Sequence, residues 1–248
     1  MIPPSPISRF AVAAPQTGTE YQVFVAAPDA ADEPGPWPAV VFMDGDDQFR
    51  FAVDAYRRLR ARNAVRPLLL AGLGYGASYT KPANRRLRDY TPTALATEPE
   101  SGGADGFLGF LENTLWPALA ARYPVSGDVR GLAGHSLGSL LVLYALFQRQ
   151  RFFNRFLASA PSIWWDDRSL LSWADRLQRT GVALPARVFL AVGANDTPSM
   201  TGDLDLLENQ LAARPFPQLE VISRRFAGRD HYSVLTDAFG EGLRELFA

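Results

Sequence analysis

Short apolar runs alternate with longer periodic ones along this chain. Tyr21–Pro28, YQVFVAAP, switches between apolar and polar residues as a half-buried strand does, and Ala39–Gly45, AVVFMDG, is a continuous apolar run ending in a turn. Phe51–Arg62 then takes helical spacing. Val65–Gly76 is another buried strand, closed by glycines, and Gly106–Tyr123 sets apolar residues three and four apart. Asp128–Gly134 reads as a strand leading into an apolar helix that runs to Phe147. From there strands at Arg155–Ala160, Ala186–Gly193 and Leu219–Phe226 alternate with helices at Ser169–Arg179, Leu204–Ala213 and Tyr232–Phe247.

Strand-then-helix order with unalternated apolar strands predicts an α/β protein: a mostly parallel central sheet with helices on both faces. The first strands lack intervening helices and are expected to form an antiparallel edge. With no internal repeat and no Gly/Ser linker, residues 1–248 read as one domain. The prolines of MIPPSPISRF predict an extended lead-in. Ala77–Asp105 breaks the rhythm, being rich in Pro, Gly and charge and too long for an ordinary connection. Such segments leave the C-terminal strand ends of an α/β sheet, where ligands bind, so a lid or rim is expected there.

One hydroxyl stands out. In LAGHSLGSLL, Ser136 lies between Gly134 and Gly138, between the strand that ends in DVRGLAG and the helix that follows. A serine on a sharp strand-to-helix turn carries strained backbone angles and exposes its oxygen above the sheet. Close approach of strand and helix leaves no room for side chains two residues either side, which the glycines satisfy. The helix start brings free N–H groups and the positive end of its dipole to where an oxyanion would form.

A serine needs a base to take its proton, and composition narrows the choice. The chain has two histidines, His135 and His231, and no cysteine. His135 adjoins the serine, so its ring is expected to point away and serve structurally. His231, in GRDHYSV after the last strand, occupies the place that the order Ser, acid, His requires. The acid should follow the strand Ala186–Gly193 and orient the imidazole. Asp196 in GANDTPSM meets that condition; Asp203, Asp205 and Glu208 read as a solvated helix face, and Asp230 adjoins the histidine too closely to reach its ring. For the oxyanion, the N–H of Leu137 is one donor. The N–H of Asp46, in the MDGDDQF turn, is the second, although an ordinary Asp-Gly turn has the same pattern.

The same composition limits the alternatives. A net charge of −1 offers nucleic acid or an anionic membrane no general attraction. The absence of cysteine removes disulfides and thiolate metal sites, and two histidines make a poor metal cluster. The longest apolar run, Leu137–Phe147, is too short to span a bilayer, and the N-terminus lacks a signal-peptide pattern. A cytoplasmic enzyme acting on a small-molecule ester, with no cofactor, no metal and no nucleic-acid or membrane partner, is the expectation.

Several segments together resemble the putative-esterase family of α/β-hydrolases, in particular its branch of siderophore trilactone esterases of the enterobactin and bacillibactin type. VVFMDGDDQF resembles the family's strand and oxyanion loop, GLGYG its next strand end, and RLRDYTP its R-x-x-D-aromatic-T-P segment. GHSLGS resembles the elbow, APSIWWDD the stretch after the sixth strand, and GRDHYSV the histidine turn. The resemblance runs from about Pro38 to the C-terminus. It implies an α/β-hydrolase fold with Ser136 as nucleophile, His231 as base, Asp196 as acid, and backbone donors at Leu137 and Asp46. Two departures bear on the substrate: the first 35 or so residues match no family segment, and GANDTPSM lacks the charged pattern expected of dedicated siderophore esterases. Arg86 is placed either to pair with a substrate carboxylate or phenolate or to bridge to Asp89. Trp164 and Trp165 either wall the substrate site or pack beneath the lid. The expected activity is ester hydrolysis through an acyl-enzyme; acyl transfer by the same serine and a non-catalytic binding module on this scaffold are the alternatives.

Overall fold

A computed structural model describes residues 7–15, 17–31, 33–148 and 152–248. The strands are β1 Ser8–Ala14, β2 Thr19–Ala26, β3 Trp37–Phe42, β4 Leu69–Gly74, β5 Val125–His135, β6 Arg155–Ser159, β7 Ala186–Gly193 and β8 Leu219–Phe226. They form one sheet in the order β1-β2-β4-β3-β5-β6-β7-β8. β1 and β2 are antiparallel to each other and β2 is antiparallel to β4; every other pair is parallel. That is the mostly parallel sheet with an antiparallel edge that the strand–helix order predicts, and the α/β-hydrolase arrangement that the resemblance implies. β7 and β8 occupy the expected residues, whereas β1 is a strand that the apolar pattern did not mark, because only Val12 and Ala14 of its seven residues are buried. The proline-rich start at residues 1–6 lies outside the described residues.

Alternate residues of each central strand feed two cores. Val41 and Met43 join Leu140, Leu141 and the helices on one face, while Val40 and Phe42 pack with Phe49, Phe239 and Leu243 on the other. The second face is covered by α1 Gly45–Arg60 and α8 Leu235–Phe247, and Phe42 at the end of β3 meets Phe239 of α8 edge-on at 5.2 Å between ring centroids. The first face carries α2 Arg86–Tyr90, then α3 Ala104–Phe110 and α4 Trp116–Ala120 joined by a π-helical turn at Leu111–Leu115. The widened turn ends just before Pro117, which has no N–H to give the carbonyl four residues back. α5 Leu137–Gln148, α6 Trp165–Arg179 and α7 Pro198–Ala213 complete the elements. α5 is apolar all round because it is buried nearly all round.

α1 begins six residues before the helical periodicity becomes visible at Phe51. Its first turn, GDDQ, has the composition of a loop, but the paired acids at 46 and 47 suit a helix N-terminus. The segment 77–105 leaves the C-terminal end of β4 and holds α2; it is closed on itself by Gly102 N–H to Thr91 Oγ1 (2.9 Å) and Gly103 N–H to the Arg88 carbonyl (2.9 Å). Among the described residues no helix is long and apolar enough to cross a membrane.

Candidate active site

β5 ends at His135 and α5 starts at Leu137, so Ser136 alone makes the turn, with φ of 59°. A side chain at Gly134 would overlap the backbone of Gly138, and one at Gly138 would come within 3.0 Å of Met43 Cβ. The glycines are therefore required by space, as the turn predicts. The left-handed turn is held by its neighbours: Ser136 N–H donates to the Ser159 carbonyl (3.0 Å), and the buried Ser139 Oγ lies 2.7 Å from the carbonyls of Gly134 and Ser159. The Ser136 carbonyl takes the N–H groups of Ser139 (3.0 Å) and Leu140 (3.1 Å), and those of Leu137 and Gly138 have no backbone acceptor among the described residues.

His231 sits in the turn between β8 and α8. Its Nδ1 lies 2.9 Å from Asp196 Oδ2, in the turn between β7 and α7, and the Asp196 side chain is fully covered. The two turns touch because Gly193 has no side chain; any Cβ there would overlap the Arg229 carbonyl, and Asn195 N–H donates to that same carbonyl (2.8 Å). The rival acids are engaged elsewhere. Asp230 Oδ1 accepts from Tyr232 N–H, Ser233 N–H and Ser233 Oγ within its own turn, Asp203 pairs with Arg168, and Asp205 and Glu208 pair with Arg225.

His135 is buried beneath His231, the two rings 4.6 Å apart, with its Nδ1 3.0 Å from Ser159 Oγ. Burial, with His231 and Arg86 nearby, pushes its imidazole down to about 3, so it is neutral at ordinary pH.

Ser136, His135, His231 and Arg86 line one cavity of about 340 Å³, with Asp47 and Gln48 of α1 on one wall and Tyr79 and Tyr232 on its rim. Within it the Ser136 hydroxyl has Ser162 Oγ as its hydrogen-bond partner, at 3.3 Å, rather than His231. Hydroxyl–imidazole bonds at such sites are often long before a substrate enters. Ser162 is itself buried and its N–H reaches the Ser136 carbonyl (3.3 Å), a contact no sequence pattern signals.

The second predicted donor lies on α1. Asp44, before it, is left-handed like Ser136, with φ 55° and ψ 46°. Its carbonyl accepts from Asp47 (3.1 Å) and Gln48 (2.8 Å), so the N–H groups of Gly45 and Asp46 have no acceptor among the described residues. The Asp46 carboxylate turns back to Tyr75 N–H (2.5 Å). Arg86 does not bridge to Asp89. Its Nε and Nη2 hold Asp44 Oδ1 and Oδ2 at 2.8 and 2.9 Å, and Asp89 is taken instead by Arg88, Tyr21 and Tyr75. Burial works against both charges of the Arg86–Asp44 pair. For Arg86 the carboxylate more than offsets it and holds the guanidinium above its ordinary range; for Asp44 burial outweighs the pull of Arg86 and raises the carboxyl. The tryptophans stand apart from the cavity lining: Trp165 is buried with its indole N–H on Thr93 Oγ1 (3.0 Å), beneath the 77–105 segment, and Trp164 is exposed. Among the described residues no cluster of His, Cys, Asp and Glu could hold a metal.

Comparison with known proteins bears on the family and the fold. Residues 14–223 match the family described as Putative esterase. The chain is 38% identical over 172 residues to the siderophore triacetylfusarinine C esterase of Aspergillus fumigatus, a match covering 66% of this chain and 58% of that protein's length. It is 28% identical over 247 residues to the ferri-bacillibactin esterase BesA of Bacillus subtilis, covering 90% of this chain and 83% of the relative. Among solved structures, the BES protein from Bacillus cereus superposes with a TM-score of 0.87 at 26% identity over 100% of this chain and 97% of the other. The siderophore hydrolase EstB from Aspergillus nidulans does so with a TM-score of 0.84 at 25% identity, covering 100% and 96%.

Proposed function

This chain belongs to the putative-esterase family, and from that membership we propose that it is a serine esterase acting on siderophore-type esters. The observation that carries the mechanism is the His231–Asp196 pair, 2.9 Å apart, facing the same cavity as a left-handed Ser136. Ser136 Oγ attacks the ester carbonyl carbon while His231 takes the hydroxyl proton through its outer nitrogen. Asp196 Oδ2 accepts from Nδ1–H, fixing the ring and stabilising it once protonated. The carbonyl oxygen gains charge as the tetrahedral centre forms, and the free N–H groups of Leu137 and Asp46 are the donors that receive it. Collapse breaks the bond to the alcohol oxygen, which takes the proton from His231 and leaves. Water then attacks the acyl-serine with His231 again as base, releasing the acid and restoring the hydroxyl.

Two cavity features bear on the substrate. Tyr79 and Tyr232 are exposed on the rim and can lie against an aromatic or extended apolar group. Arg86 Nη1 has no protein partner among the described residues, so it is available to an oxygen of the substrate. The relatives' own substrates supply the class: siderophores whose units are joined by esters.

The test is direct. Ser136→Ala should lose all turnover of a p-nitrophenyl ester and of ferri-siderophore trilactones while keeping its unfolding midpoint in urea. Turnover retained in that variant would overturn the assignment. A wild-type protein that cleaves the aryl ester but none of the trilactones would leave the chemistry and remove the substrate class.

A further inference from the structure

The segment RLRDYTP, Arg86–Pro92, makes contacts that lie between the rim and the oxyanion loop. Tyr90 is fully buried, and its hydroxyl accepts the N–H of Asp44 at 3.0 Å. Four residues earlier in the same short helix, Arg86 grips the Asp44 carboxylate with two nitrogens and lies over the Tyr90 ring, 5.6 Å from its centroid. Both polar ends of Asp44 are thus held by one turn of α2. Asp44 needs holding: a non-glycine residue in the left-handed region is strained, and its side chain is wholly buried. Its carboxylate also rests against the elbow, 3.5 Å from where a Cβ on Gly138 would lie.

We propose that Tyr90 and Arg86 are positioning residues for the oxyanion loop, clamping Asp44 in its left-handed turn so that the Gly45 and Asp46 N–H groups stay unpaired beside Ser136. The parallel with the elbow supports this. β3 and β5 are neighbours, Met43 N–H donates to the Ala133 carbonyl (2.9 Å), and each strand passes through one left-handed residue into a helix whose first two N–H groups have no backbone acceptor among the described residues. At Ser136 the turn is fixed by Ser139, in the first turn of α5, and Ser159, on the neighbouring strand β6. At Asp44 the equivalent support comes from 42 and 46 residues further along the chain.

This inference rests on Asp46 as an oxyanion donor, and the experiment separates the two. In Tyr90→Phe the buried Asp44 N–H loses its acceptor. Its kcat on p-nitrophenyl butyrate should fall about tenfold or more with KM within about twofold. Affinity for a trifluoromethyl ketone, whose adduct mimics the tetrahedral oxyanion, should fall by the same factor. Tyr21→Phe is the control: that hydroxyl donates to Asp89 (2.7 Å) and bonds neither Asp44 nor Tyr90, so it should cost stability and leave kcat and ketone affinity unchanged. Should Tyr90→Phe not fold, Asp44→Asn tests the other half of the clamp, keeping the shape and weakening the Arg86 pair, with the same kcat-selective loss expected. Wild-type kcat and ketone affinity in a folded Tyr90→Phe or Asp44→Asn would overturn the clamp. A wild-type enzyme without esterase turnover would instead overturn the function proposed above.

Discussion

Two single residues, Ser136 and Asp44, take the left-handed conformation beside one cavity, each at a cost of about 1–2 kcal/mol. Only the first could be read from the sequence. Its glycines at two residues either side are a local signature of close strand–helix approach, whereas Asp44 is held by Tyr90 and Arg86, whose nearness no spacing announces. The same difference separates Asp196, placed by chain order after its strand, from Ser162, whose contact with Ser136 depends on how β6 returns to the sheet. His135 gives a prediction at this scale. Its folded imidazole is lowered from 6.5 to about 3 by burial, with His231 and Arg86 adding to it, so the unfolded chain binds the extra proton between those values. The stability of keeping it neutral is therefore complete above about pH 6.5 and is lost as pH falls toward 3, on the order of 5 kcal/mol across the window. Asp44, with its raised carboxyl, works in the opposite direction and is common to both proteins compared. Urea unfolding of His135→Gln should show a shallower loss of stability from pH 7 to pH 4 than the wild type; parallel curves would mean that His135 is not the group responsible.

Among elements, the ones legible in advance are those whose apolar pattern is set by the sheet itself. β7 and β8 fall on the expected residues, and α5 runs from the elbow as its apolar sequence requires. The start of α1 was hidden because its first turn, GDDQ, carries no apolar side chain. In α6 Asp166, Asp167 and Arg168 are left-handed, so regular helical angles begin at Ser169, where the apolar spacing puts them. RLRDYTP was visible as a motif but not as a helix, since five residues carry too little periodicity. The turn between β5 and α5 allows a test. In Gly134→Ala the new methyl meets the backbone of Gly138, which is helix and cannot swing aside, so the substitution should cost about 1–3 kcal/mol in urea unfolding. Ester turnover should fall with it, because the displacement moves Ser136. Unchanged stability would show that strand and helix separate without penalty.

Across the whole molecule, the cavity stands at the C-terminal strand ends, where strand order predicts a ligand site, and the segment 77–105 borders it. Its contacts are those of a fixed rim: Thr91 ties it to Gly102, Arg88 to Gly103, and Thr93 to the indole of Trp165. Amide exchange should therefore be slow at Gly102 and Gly103 and fast at Thr80, whose N–H reaches the exposed Ser78 hydroxyl at 3.5 Å. Trp165→Phe, which removes the Thr93 bond, should speed exchange at Gly102. Equal, rapid exchange throughout the segment would identify a lid instead.

The adjacency of β3 and β5 has a consequence for how such a protein changes over time. Neighbouring strands in a sheet lie about 4.8 Å apart whatever side chains they carry, and the two left-handed turns cap two such neighbours. The separation between the Ser136 turn and the Asp44 turn is thus ruled off by backbone pairing. Residues around the mouth can be exchanged for others, admitting differently shaped esters, while that built-in yardstick keeps its length.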